Sequence, residues 1–267
     1  MPLPHASFSS RALVTGASQG IGQALAAQLA AQGHNLLLVA RRKEVLEAFA
    51  ATLEKQHRVQ VDVYPCDLGD SIQRAELLQY LKTQEIHILV NSAGIASFGP
   101  FSKQDWGYES QQFAVNATAV FELTHAVLQP MLERGSGAIC NVGSAAGNVP
   151  IPNNATYVFT KAGVNAFTEA LHYELRGSGV SCTLLAPGPV RADEIDPTEA
   201  SIVDKMVPNF LWTTYESCAQ ETLEAMAAGK RRVVPGPLGK VMNGVSTVLP
   251  TKVLAPVMGK FYAKLGE

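Results

Sequence analysis

Apolar residues fall along this chain in two alternating textures. Short runs are apolar almost without interruption, as in Leu36-Leu37-Leu38-Val39. Between them lie longer stretches in which apolar residues recur every three or four positions. The second texture is a helix that buries one face, and the first is a strand covered on both sides. The spacing predicts strands at 11–15, 35–40, 59–64, 87–91, 138–142 and 180–186, with a short last one at 232–234. It predicts helices at 20–32, 43–56 and 71–84, helical stretches from 102 to 134, and a helix at 153–176. Strands buried on both faces and separated by helices make a doubly wound parallel sheet. The expected fold class is therefore α/β, a Rossmann-type parallel sheet with helices on both faces.

The whole of 1–267 is expected to be a single domain, with no repeat or interdomain linker. Within it, 11–192 would form a cofactor-binding and catalytic core, 193–230 a substrate lid region, and 235–267 a C-terminal helical extension. The first ten residues have no apolar h-region, so no signal peptide is expected. Nor is there a run of about 18 apolar residues that would span a bilayer.

Composition narrows the chemistry. Hydrophobic residues make up 47% of the chain, enough for a large core, while the charged share is 16% and the net charge -2. No basic face for nucleic acid is implied. Cys66, Cys140, Cys182 and Cys218 are widely spaced and form no C-x-x-C pair, so they read as reduced thiols of a cytoplasmic protein. The six histidines are isolated, and no metal site is expected.

The first strand runs into Thr15-Gly16-Ala17-Ser18-Gln19-Gly20-Ile21-Gly22. A glycine-rich turn between strand and helix lets the backbone approach a pyrophosphate, which the N–H groups and dipole of the helix favour. Gly16, Ser18, Gln19, Gly20, Ile21 and Gly22 are the candidate phosphate-binding residues. The second strand ends in Val39-Ala40-Arg41-Arg42, with no acid before Glu44. A carboxylate there would hold the ribose 2′-hydroxyl of NAD, whereas Arg41, with Arg42, suits the 2′-phosphate of NADP(H).

Tyr157 and Lys161 stand four apart on a predicted helix and so share a face. The fifth strand leads directly into Asn141-Val142-Gly143-Ser144, and Asn116 lies upstream within Ala114-Val115-Asn116-Ala117. With Cys66-Asp67-Leu68, Asn91-Ser92-Ala93-Gly94 and Pro187-Gly188, these pieces stand in the order and spacing of the short-chain dehydrogenase/reductase family, which the sequence resembles over residues 11 to about 192. The resemblance implies a catalytic tetrad of Asn116, Ser144, Tyr157 and Lys161. It places Asp67 and Leu68 near the adenine. It sets Asn91, Ala93, Gly94, Tyr157, Lys161, Pro187, Gly188 and Val190 along the remainder of the dinucleotide. A carbonyl that receives hydride becomes an alkoxide and needs a proton. Tyr157 would supply it, its phenol made more acidic by the Lys161 ammonium and a cationic nicotinamide. Ser144 would polarise the carbonyl oxygen, and Asn116 would hold a water that links Lys161 to solvent. The family often has a threonine where this chain has Ala192, so one hydroxyl contact to the nicotinamide amide is expected to be missing.

The substrate side is apolar in character. Ile151, Phe210, Leu211 and Trp212 are the candidate substrate residues, with Pro152, Phe98 and Phe101 as further wall residues. The alternative is that these residues only pack the lid on the body. The tail after Pro235 carries an apolar stripe among lysines, which would either pack on the body or make a peripheral contact with the inner face of a membrane. Gly143-Ser144-Ala145-Ala146-Gly147-Asn148, Val207-Pro208-Asn209-Phe210-Leu211-Trp212 and Arg232-Val233-Val234-Pro235-Gly236 are further similar to the branch of that family that reduces mycolic-acid precursors in actinobacteria. This likeness implies reduction of the β-keto group of an α-alkyl-β-ketoacyl lipid to a β-hydroxy group. Two alternatives stay open: a general 3-oxoacyl, steroid or small-carbonyl reductase, and a non-catalytic protein that senses NADPH. The family pattern also implies a homo-oligomer, dimer or tetramer, built on the helices that carry Asn116 and Tyr157, where Ala155, Ala162, Ala166 and Ala170 would permit close approach.

Overall fold

The computed structural model describes residues 3–192, 212–237, 239–240, 243–244 and 256. Seven strands form one sheet: β1 (Ser10–Thr15), β2 (Asn35–Ala40), β3 (Val61–Pro65), β4 (Glu85–Asn91), β5 (Gly137–Val142), β6 (Val180–Leu185) and β9 (Arg232–Val233). Their order is β3-β2-β1-β4-β5-β6-β9 and every pairing is parallel. The order reverses between β1 and β4, which opens a crevice at the carboxyl ends of these two strands. β7 (Val190–Arg191) and β8 (Thr213–Thr214) make a separate two-stranded pair.

The strands read as unbroken apolar runs because successive side chains serve two different cores. Ala12, Val14, Leu36, Leu38, Ile88 and Val90 face one layer, formed by α1 (Gly20–Ala31), α2 (Lys43–His57) and α7 (Tyr215–Ala227). Leu13, Leu37, Val39, Leu89 and Ile139 face the other, formed by α3 (Ser71–Leu81), α5 (Ala119–Arg134) and α6 (Ala155–Glu174). Polar side chains set several helix starts: Asp70 accepts from Ile72 and Gln73 N–H ahead of α3, and Asp105 from Tyr108 N–H ahead of α4 (Trp106–Phe113).

The helical stretches expected from 102 to 134 are a 3₁₀ turn at Phe101–Lys103, α4, a π-helical turn, Ala114–Thr118, and α5. One expectation needs correction: the lid region drawn at 193–230 is too long. Its second half is α7, whose Cys218, Ala219, Leu223 and Met226 are buried against Leu25, Ala26 and Leu29 of α1. Apolar burial makes that segment part of the body. Residues 193–211, including Phe210 and Leu211, lie outside the described residues, as does most of the extension predicted at 235–267. Among the described residues, no helix is long and apolar enough to cross a membrane. All four cysteines are buried free thiols.

Candidate active site

The crevice at the β1–β4 switch is a cleft of about 450 Å³. Its floor is the turn after β1. Gly16 sits at φ +66 and donates its N–H to the Val39 carbonyl at 2.8 Å. A Cβ on Gly16 would come within 2.9 Å of the Ala93 main chain, and one on Gly22 within 2.5 Å of the Gly16 carbonyl oxygen. Both positions exclude any side chain, which leaves a bare backbone cradle. No side chain caps the N-terminus of α1 and no acid stands in its first turn. Its leading N–H groups are therefore suited to an anion such as a diphosphate.

Ser18, Gln19, Gly20 and Ile21 line this cradle. Both arginines after β2 line the cleft. Arg42 Nη2 in addition donates to Gln19 Oε1 at 2.6 Å and to Ser18 Oγ at 3.0 Å, bracing the turn from its rim. On the facing wall, the Asp67 carboxylate accepts from Gly69 N at 2.8 Å and Gln111 Nε2 at 3.4 Å, with Leu68 beside it. Ala93 and Gly94 continue the wall toward the chemistry. Thr15 Oγ1 fixes them there by accepting from Ser92 N at 3.0 Å and Ala93 N at 3.2 Å.

Beyond Gly94 the catalytic candidates converge. Lys161 is 4% exposed, and its Nζ donates to the carbonyl of Val142, the last residue of β5, at 2.8 Å. A Cβ built on Gly94 would lie 3.5 Å from both Lys161 Nζ and Asn116 Oδ1, so Gly94 is where cleft and catalytic groups meet. Burial lowers the Lys161 pKa to about 8. The Lys161 Nζ lies 5.7 Å from the centre of the Tyr157 ring. Tyr157, one turn earlier on α6, has a raised pKa: burial pushes the phenol up, and a hydrogen bond with the Ser144 hydroxyl pulls the other way. Ser144 Oγ accepts from Ala146 N at 3.1 Å at the start of the 3₁₀ turn that follows, and its own proton is left for another acceptor.

Other predicted residues have different places. Asn116 Oδ1 accepts from Ile95 N at 2.9 Å, while its Nδ2 donates to Ile95 O at 2.8 Å and Thr160 Oγ1 at 3.3 Å. Its side chain clamps the loop after β4, so a water relay at this position would have to use main-chain groups, which the π-helical turn around it rearranges. Asn91 does not face the cleft. Its Nδ2 donates to Asn141 Oδ1 at 2.9 Å and Thr124 Oγ1 at 3.1 Å inside the core, because the pleat of β4 points it toward α5. Pro187, Gly188 and Val190 lie off the cleft lining. The Pro187 carbonyl accepts from Ala145 N at 3.0 Å and so supports the Ser144 turn, and Val190 pairs with Thr213. Ile151 is buried, Phe98 and Phe101 are exposed, and the guanidinium of Arg191 lies over the Trp212 ring at 4.9 Å.

The sequence reading missed Val39, Ile95, Val115 and Val142 on the lining, at or after strand ends or on the π-helical turn, and Gln111 on α4. It also missed Tyr215, whose ring would lie 3.6 Å from a Cβ on Gly20 and which closes the cradle from α7. Among the described residues, no group of three or more His, Cys, Asp or Glu side chains could hold a metal ion.

A family model described as short chain dehydrogenase matches residues 10–201. Over 187 residues the chain is 35% identical to the 2,3-dihydro-2,3-dihydroxybenzoate dehydrogenase of Bacillus subtilis (strain 168), a match that covers 68% of this chain and 70% of that one. Over 259 residues it is 30% identical to a very-long-chain 3-oxoacyl-CoA reductase of Anas platyrhynchos, covering 93% and 78% respectively. A short-chain dehydrogenase from Sphingobium yanoikuyae, solved in complex with NADPH, superimposes with a TM-score of 0.76 at 29% identity, over 90% of this chain and 96% of that one.

Proposed function

This chain belongs to the short-chain dehydrogenase/reductase family, and we propose that within it the protein reduces the β-keto group of a long α-alkyl-β-ketoacyl lipid, of the mycolic-precursor kind, to a β-hydroxy group. It is an oxidoreductase acting between CH–OH and C=O, with NADP(H) as its cofactor. The observation that carries the reductase reading is that Lys161 reaches the backbone cradle at Gly94, with the Tyr157 ring beside Lys161 and the Ser144 hydroxyl hydrogen-bonded to Tyr157.

The residues present fit the cofactor. The glycine turn and the uncapped start of α1 would hold the diphosphate, Arg41 a 2′-phosphate, and Lys161 ribose hydroxyls. Bound NADPH would supply a hydride to the carbonyl carbon. Ser144, whose Oγ accepts from the Ala146 N–H, would donate its own proton to the carbonyl oxygen, where negative charge develops. Tyr157 then gives that oxygen a proton. Burial keeps the phenol protonated well past neutral pH, and an alkoxide is far more basic than a phenolate, so the transfer runs downhill. The Lys161 ammonium stabilises the tyrosinate left behind.

The lipid part of the reading is supported by Phe98 and Phe101, both exposed on the loop that Asn154 Nδ2 ties, through Ser97 O at 2.6 Å, to the start of the Tyr157 helix. The likeness to a very-long-chain 3-oxoacyl-CoA reductase supports it too. A second reading, a reductase of small cyclic carbonyls, is favoured by the likeness to a dihydroxybenzoate dehydrogenase. Chain length separates the two. Each buried CH₂ contributes about 0.8 kcal/mol, so kcat/KM on 3-ketoesters should rise about fourfold per added carbon until the groove is filled. A flat or falling series would remove the lipid reading.

A further inference from the structure

The catalytic serine is gripped by a residue that touches neither cofactor cleft nor proton path. Asn165 lies one helical turn beyond Lys161 on α6, on the same face, and is 4% exposed. Its Nδ2 donates to the Ser144 carbonyl at 2.9 Å, and its Oδ1 accepts from the Ser144 N–H at 3.3 Å. Both main-chain groups of one residue are thus held by one carboxamide. The fit is close: a Cβ on Gly143 would sit 2.0 Å from Asn165 Oδ1, and one on Gly147 2.7 Å from Asn165 Nδ2. Glycines on either side of Ser144 leave the space that this side chain occupies.

The carboxamide is itself held from behind. Asn165 Nδ2 also donates to Asn148 Oδ1 at 3.1 Å, and Arg232 Nη2 donates to the same oxygen at 2.9 Å. Arg232, on the last strand, pairs with Glu169 at 3.3 Å, and Glu169 lies one turn beyond Asn165. A buried carboxamide with two donors and one acceptor oxygen can be fully used in only one orientation, and this network prescribes it.

We propose that Asn165 is a positioning residue for carbonyl reduction: it fixes the two peptides that flank Ser144, and thereby the direction of the Ser144 hydroxyl, with Asn148 and Arg232 holding the carboxamide in register. Nothing in Asn165 reacts. Without it these peptides are free to rotate, and the hydroxyl no longer meets the developing oxyanion at a set distance. The inference rests on the carbonyl-reductase reading but not on the lipid one.

The test compares Asn165→Leu, close in shape but without the polar groups, in wild-type and Ser144→Ala backgrounds, with the shortest 3-ketoester that wild type turns over. In the wild-type background kcat should fall on the order of 10²-fold, as misplaced catalytic groups do, while the NADPH Kd read by cofactor fluorescence stays within about twofold. In the Ser144→Ala background the same change should have little effect on kcat, less than about threefold, because the group it positions is gone. An equal loss in both backgrounds, or an unchanged kcat in wild type, overturns the proposal. A substrate-independent readout accompanies it: ultraviolet titration of Tyr157, taken as the difference from Tyr157→Phe, should move upward in Asn165→Leu as the Ser144 hydrogen bond is lost. No movement counts against the proposal even if no ketoester is turned over. Should Asn165→Leu fail to fold, Asn148→Ala removes only the rear support, and the same comparison between the two backgrounds decides.

Discussion

The buried ammonium of Lys161 sets stability against chemistry in a way that can be measured. Burial lowers its pKa from 10.5 to about 8. The unfolded chain keeps that proton up to the ordinary lysine range, whereas the folded chain keeps it only to about pH 8. Below about pH 8 the charge therefore opposes folding in full, by about 3 kcal/mol at about 1.4 kcal/mol per pKa unit. The opposition shrinks as pH rises from the folded value to the unfolded one and is gone above it. Lys161→Met removes this penalty but leaves the Val142 carbonyl without its donor, which costs about 1–3 kcal/mol. The net change near neutral pH is the difference of two similar quantities, so its size alone decides little. Its pH dependence decides more, because the Val142 contribution does not titrate. Between about pH 7 and about pH 9.5, wild type should gain about 2 kcal/mol of stability relative to Lys161→Met. Urea unfolding of both proteins at matched concentration and ionic strength, across that interval, measures it. A difference that stays flat would refute the depressed pKa, and with it the statement that the fold holds a charged group in place against its own stability. Turnover should be lost in the variant at every pH.

Tyr157→Phe should lower kcat by about 10³-fold or more, in the range of losing a general acid and an oxyanion partner together, while NADPH binding measured by fluorescence titration stays intact; activity within a few-fold of wild type would contradict the proton-transfer step. Arg41→Asp should reverse the cofactor preference from NADPH toward NADH in steady-state kinetics, whereas Arg42→Ala should weaken both cofactors alike, because Arg42 braces the turn at Ser18 and Gln19. α4, α5 and α6 leave Phe113, Phe121 and Phe159 exposed; Phe113 and Phe121 line an apolar groove of about 300 Å³, and Phe159 stacks on Phe113. A homo-oligomer built on this face is expected, so light scattering at micromolar concentration should give a multiple of the monomer mass for wild type and the monomer mass for Phe121→Asp.

Much of this architecture was legible in the sequence because the strands are buried on both faces. Leu36 and Leu38 serve one core and Leu37 and Val39 the other, which produces an apolar run that no helix or exposed strand imitates. The glycine turn, Arg41, Ser144, Tyr157 and Lys161 were legible for a related reason: each sits directly at a strand end or at helical spacing from its partner. What escaped was of three physical kinds. α7 buries small residues, Cys218, Ala219 and Thr222, so its apolar periodicity is faint although its packing on α1 is close. Tyr215 enters the cleft from that helix, nearly 200 positions after the turn it covers, and only the tertiary fold brings it there. The π-helical turn at Ala114–Thr118 inserts a residue into a helix without any compositional mark, and it decides where Val115 and Asn116 point. Asn91 is a different lesson. It shares strand parity with Leu89, which faces the α5 layer, so the alternation of β4 already placed its side chain in the core and should have outweighed the motif match.

The loops around the site are held by a common device. Thr15 pins Ser92 and Ala93, Asn116 pins Ile95, Asn154 pins Ser97, and Asn165 pins Ser144; in each case a buried polar side chain bonds main-chain groups of a neighbouring loop. A bond to the main chain fixes the direction of a peptide whatever side chain the loop carries. This allows the loops to stay small and glycine-rich beside the cleft and still hold a definite shape. A sheet edge offers no such restraint by itself, since its hydrogen bonds end where the strands do. Each of these bonds contributes on the order of 1 kcal/mol net, little against the apolar burial that holds the sheet and its two helical layers together. Their value lies in where they act. Removing one loosens a single peptide within reach of the hydride and proton paths and leaves both cores as they were. Substitution at these four side chains should therefore lower turnover out of proportion to melting temperature, the reverse of what a change at Leu29 or Leu37 in the cores would do.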